Sequence, residues 1–261
     1  MVDYRVKALY YRFVSDVEHD RFDDASPVAT RRGDFECNLV DGLLTAVPVV
    51  EFSDRETAKG ALEPHLRDWE QSAYASPWAH SFHFDYDRSD VEVLNPEPGH
   101  VYACAEVVTG RATAFLVGAV IRRNSEYPRP DPAYRRTPAT DNLVARLRGA
   151  RDGRETWPEF AYFVLTQLGA DCGGRKGAAA TLGVSRNVLK KLGTICNKRD
   201  PSIGRKAGRT PETISAAERA WLEAVVVRLI RRVGERAAGG TLVPITMADF
   251  PPMTWLLRKQ Q

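Results

Sequence analysis

Long apolar runs are missing from this 261-residue chain. A spanning helix needs about 18 or more consecutive apolar residues, so no transmembrane helix is expected. Cysteine is scarce, with four residues at Cys37, Cys104, Cys172 and Cys196. None forms a C-x-x-C pair and histidine is sparse near them, which argues against a zinc site and implies no disulfide framework. There is no G-x-G-x-x-G and no P-loop, the glycine-rich cradles that bind nucleotide phosphates. The N-terminus, Met1-Val2-Asp3-Tyr4-Arg5, lacks the basic, apolar, small-residue succession of a secretory signal. The expectation is a cytoplasmic protein with no cofactor, no bound metal and no membrane partner.

Charge is present in quantity but unevenly placed. The formal net charge is +3, yet residues 1–100 hold 20 acidic and 10 basic side chains and the remaining 161 hold 14 and 27. The first part is therefore acidic and the rest strongly basic. Such asymmetry points to an anionic partner for the basic part, or to attraction between the two.

Patterning divides the chain at a similar place. Tyr4 to Val14 reads as strand, and Phe35 to Phe52 as two apolar runs about the hairpin signal Asp41-Gly42. Pro48 makes the second run an edge strand or ends it there. Ser53 and Glu56 have the spacing of a capping box, and Ala58, Ala61, Leu62, Leu66 and Trp69 follow at helical spacing, so a helix is expected over 54–73, with Pro64 as a kink or break. Phe82, Phe84 and Tyr86 alternate with His83, Asp85 and Asp87, the pattern of a half-buried strand. Residues 102–122 read as further strand. Four prolines between Asn124 and Asn142 suggest a linker. Beyond it the pattern is helical: a short basic helix from Asn142, a helix opened by Thr156-Trp157-Pro158-Glu159, two short helices, and a long one opened by Ser215 with Glu218.

The expected fold class is α+β. An α+β domain over 1–123, mostly antiparallel sheet with one packed helix and a ligand- or partner-binding role, precedes a linker over 124–141. An all-α domain follows over 142–240, then a tail over 241–261.

Within the helical part, Ala178, Leu182, Val184, Leu189 and Leu192 have the spacing of a helix-turn-helix core. Ala179 is small where the two helices approach, and Gly183 falls where the turn needs a positive φ. Ser185 suits the N-cap of the second helix and Gly193 its end. The stretch KGAAATLGVSRNVLKKLG resembles the helix-turn-helix of bacterial transcriptional regulators; the likeness covers residues 175–193 and not the rest of the chain. It implies a second helix lying in the major groove of duplex DNA, with Ser185, Arg186, Asn187, Lys190 and Lys191 facing it. Arg186 and Asn187 have the chemistry to read guanine and adenine, whereas Lys190 and Lys191 suit phosphates. Arg175 and Lys176 would open the first helix beside the backbone. Lys198, Arg199, Arg205, Lys206 and Arg209 extend the basic surface: residues 171–210 hold ten basic and two acidic side chains. No RNA-binding aromatic signature or GXXG loop is present.

Other constellations are weaker. His83, Asp85 and Asp87 share one face of a strand, with His80 and Asp90 nearby. They have the ligand types of a metal-dependent nuclease, but alternation alone produces the same pattern. Cys172 and Cys196 read as small packing residues. The long helix carries Ala217, Trp221, Leu222, Val225, Leu229, Ile230 and Val233 on a broad apolar face that suits core packing or self-association. Arg228, Arg231, Arg232 and Arg236 are expected on its solvated side.

The leading expectation is a DNA-binding, regulatory protein that is not an enzyme, with duplex DNA as partner and a second copy or another protein as a further one. The rival is a non-enzymatic adaptor or assembly subunit whose helical domain docks an acidic protein.

Overall fold

The computed structural model describes residues 4–17, 20–76, 81–95, 122–196 and 214–252. The strand expected over 102–122, except Arg122, and the residues of the tail beyond Pro252 lie outside them. The architecture is α+β, and the chain divides into two compact units, Met1–Tyr74 with Ala79–Asp131 and Ala75–Trp78 with Pro132–Gln261.

The first unit is built on a sheet. Strands β1 (Tyr4–Ser15), β2 (Asp20–Arg21), β3 (Val28–Arg32), β4 (Phe35–Val40) and β5 (Leu43–Pro48) precede helix α1 (Arg55–Tyr74); β6 (Phe82–Val93) and β7 (Arg122–Arg123) follow it. Five strands form one sheet in the order β3-β4-β5-β1-β6, and β2 and β7 pair separately. All pairings within the five-stranded sheet are antiparallel. The β4–β5 hairpin turns on Asp41 and Gly42 at φ +49° and +75°, the left-handed pair that matches the twist of the flanking strands. Of the two readings of Pro48 the second holds: β5 is an interior strand, not an edge, and it ends at Pro48. Pro48 is its last residue and faces Phe35 of β4, beyond the end of the β1 pairing at Ala46, so its missing N–H costs little there.

Helix α1 covers one face of the sheet. Ala58, Leu62, Leu66 and Trp69 meet Leu9, Tyr11, Phe35, Cys37, Leu39, Leu44, Phe82 and Phe84 in a single buried core. The helix is capped one residue later than expected: Asp54 Oδ1, not the Ser53 hydroxyl, accepts the Thr57 N–H at 2.8 Å. A carboxylate serves an N-cap as well as a hydroxyl does, and Glu56 instead pairs with Arg55 and Lys59. Pro64 lies within one continuous helix.

The stretch 124–141, expected as a linker, is packed and divides between the units. The Tyr127 hydroxyl accepts the Gly42 N–H at 2.7 Å and donates to the Phe22 carbonyl, and the Trp69 indole donates to the Pro128 carbonyl. Tyr134 is buried in the second unit. Helix α2 (Pro138–Arg151) begins four residues before the expected Asn142, because Thr137 and Thr140 form a capping box with Pro138 in the first turn.

The second unit continues with α3 (Trp157–Asp171), α4 (Arg175–Thr181), α5 (Arg186–Cys196) and α6 (Ala216–Ala237). The capping boxes at Thr156 and Ser215 form as the spacing indicated. α6 packs against α2, α3 and α5, and Trp221, Leu222, Val225, Val226, Leu229 and Ile230 are all buried. A short segment after α6 ends in a 3₁₀ turn at Met247–Asp249.

Candidate nucleic-acid interface

The site is assembled from α4, the turn Leu182–Ser185 and α5. From Arg175 to Cys196 the chain carries five basic and no acidic side chains. Apolar residues close the inner side: Ala178, Ala179, Leu182, Val184, Val188, Leu189, Leu192 and Ile195 are buried. Gly183 takes φ +60°, so the turn has the left-handed residue its sequence suggested. The Ser185 hydroxyl accepts the Asn187 N–H at 3.3 Å, which occupies it in capping α5.

Burying that inner side forces the polar side chains of α5 outward. Arg186, Asn187, Lys190 and Thr194 are exposed and Lys191 is half-buried. Asn187, Lys190 and Thr194 follow at steps of three and four, and Arg186 stands four residues before Lys190, so the four share one helical face. Thr194 was not singled out in the sequence; its place on the exposed stripe is the signal that includes it. Arg175 and Lys176, at the start of α4, are exposed. Lys198, Arg199, Arg205, Lys206 and Arg209 lie outside the described residues.

Two expectations about the borders of the site are corrected. Gly193 does not end α5, which continues to Cys196. It is buried, and a Cβ there would stand 3.0 Å from the Arg175 guanidinium and 3.3 Å from Leu165; the glycine admits a close approach of α3 and α4. Arg232 is not on a solvated face. It is fully buried, with Nη1 donating to the Leu182 carbonyl at 2.7 Å, Nη2 to the Val243 carbonyl, and Nε to Glu235 Oε2 at 2.8 Å. Glu235 also pairs with Arg228 and Arg231. Burial draws the Arg232 pKa below the ordinary guanidinium value. The pattern of α6 held a signal for it: Arg232 stands three residues after Leu229 and seven after Val225, both buried, so helical spacing puts it on the apolar face. Cys196 is a buried packing residue whose thiol burial pushes up to about 12.

The strand face in the first unit is differently engaged. His83 Nδ1 lies 2.6 Å from Asp16 Oδ1, and Ser81 donates to the other oxygen of the same carboxylate. Asp87 is held by Arg12 at 2.6 Å and by Arg88 at 2.8 Å. His83 and Asp85 are 3.4 Å apart. Among the described residues no group of three or more His, Cys, Asp or Glu side chains is placed to hold a metal ion. His80 and His100 lie outside the described residues.

No protein-family model, curated protein or solved structure matches the chain.

Proposed function

We propose that α4, the turn and α5 form a helix-turn-helix, and that the chain is a regulatory protein that binds duplex DNA through α5. The observation that carries this reading is the stripe Arg186, Asn187, Lys190 and Thr194, exposed on a helix whose other face is wholly buried. A helix with this division of faces can enter the major groove without losing core packing. Arg186 and Asn187 supply the bidentate groups that read guanine and adenine. Lys190, Lys191 and Lys176 supply charge for phosphates. The absence of any carboxylate between Arg175 and Cys196 removes local repulsion of a polyanion.

The test is a mobility shift on random-sequence duplex DNA with the wild-type chain, Arg186→Ala and Lys190→Ala. Binding that weakens with rising salt, and that both substitutions reduce, is expected. Duplex that is never retained at low salt, alongside a stoichiometric complex with an acidic protein, would replace this reading with the adaptor.

A further inference from the structure

The turn between α4 and α5 is held by residues that belong to neither helix. Its Leu182 carbonyl accepts from Arg232 of α6 at 2.7 Å. Its Gly183 carbonyl accepts the Ile245 N–H at 2.8 Å, and its Ser185 N–H donates to the Ile245 carbonyl at 2.8 Å. Val184 and Ile245 thus form a parallel bridge. The same Arg232 guanidinium donates to the carbonyl of Val243, two residues before Ile245. Further on, the segment is closed by a turn of its own and held to α6 by an aromatic contact. Asp249 Oδ2 accepts the Thr246 N–H at 2.6 Å, and the Phe250 ring meets Trp221 of α6 edge-on at 5.9 Å.

We infer that the segment Leu242–Phe250, clamped by Arg232, is a working part of the DNA-binding unit: it sets the angle between α4 and α5 and so the presentation of Arg186, Asn187 and Lys190. The inference rests on the DNA-binding reading and adds positioning residues to it. Burying a guanidinium is costly, and replacing a whole buried ion pair by apolar side chains commonly gives a core of equal or greater stability, whereas removing one partner alone destabilises it. Stability alone therefore does not call for arginine here. The guanidinium spreads its donors over three nitrogens and so reaches two carbonyls from different segments and a carboxylate at once; lysine has three donors but all on one nitrogen. The angle between the two helices matters because base-reading and phosphate-binding groups must engage together, and small misplacements of such groups are costly.

The experiment uses the full chain and a short random-sequence duplex at fixed salt. Arg232→Met is expected to retain its helical circular dichroism and a cooperative melt at a lower midpoint, and when folded to bind about tenfold more weakly, within the range seen for residues that act through others. Arg232→Lys is expected to recover part of the loss. Asp249→Ala removes, from an exposed position, the Thr246 cap that closes the turn within the segment, and makes the chain more positive. Electrostatics alone would then tighten DNA binding, whereas a loosened segment weakens it several-fold. A folded Arg232→Met that binds like wild type overturns the inference, as does an Asp249→Ala that binds as tightly or more tightly. If Arg232→Met fails to fold, Asp249→Ala decides alone. A wild-type chain that retains no duplex overturns the DNA-binding reading and this inference with it; wild-type binding with unaffected folded variants overturns the inference only.

Discussion

Gly183 shows how one residue joins fold to site. At φ +60°, with any added Cβ 3.2 Å from Arg232 Nη1, it can be replaced only with backbone strain and crowding of the guanidinium. Gly183→Ala is expected to cost about 1–3 kcal/mol in a denaturant melt, the range for a non-glycine residue held in the left-handed region. The exposed basic residues carry the opposite expectation. Lys190→Ala should leave the melt within about 0.5 kcal/mol of wild type, as surface substitutions usually do, while lowering the salt slope of DNA binding by about one. Arg186→Ala should cost about 1–3 kcal/mol on sequences containing its preferred base. At this scale the sequence was informative wherever a residue has a local reason for its type: Gly183 for the turn, Ser185 for the cap, Lys190 for an outer face. For Arg232 it was informative only in part: spacing from Val225 and Leu229 sets it on the buried face, but its partners Leu182 and Val243 come from other segments and no spacing rule encodes that meeting.

Among the secondary-structure elements, helix starts were the most legible feature, because a capping box is a contract between residues three apart. Thr156 and Ser215 form their boxes. Thr156→Ala is expected to lower stability by about 0.5–2 kcal/mol, read from the urea midpoint. Less legible was the start of α2, where threonine stands in for the usual glutamate at the third position and prolines invite the reading of a loose linker. The start of α1 moved by one residue because Ser53 and Asp54 are both competent caps. The choice of Asp54 has a pH signature. Hydrogen bonds from the Thr57 side chain and backbone hold the Asp54 carboxyl below its ordinary value. A depressed carboxyl contributes stability that is complete above the ordinary carboxylate pKa and is lost as pH falls through the folded value. Melting temperatures of wild type and Asp54→Ala should therefore differ at neutral pH and converge on acidification; a gap constant from neutral to strongly acid pH would contradict this cap. The hairpin at Asp41-Gly42 was readable from two residues, whereas the position of β5 inside the sheet was not, since sheet order depends on pairings between strands far apart in sequence.

For the whole molecule, the α+β class followed from the order of alternating and helical patterns. Charge followed the same division, with an acidic first part and a basic second. What remained hidden was how the segment after α6 returns to the turn between α4 and α5, a contact between residues about 60 apart that only folding reveals. Whether the exposed stripe of α5 meets duplex DNA decides the proposed function. The most direct measurement is a mobility shift of random-sequence duplex with the full wild-type chain over a salt series. The logarithm of affinity is expected to fall linearly with the logarithm of salt concentration, with a slope of about −3 to −4 for three or four phosphate contacts from Arg175, Lys176, Lys190 and Lys191. No retained duplex at the lowest salt, or binding unchanged when Arg186 and Lys190 are both alanine, would contradict it.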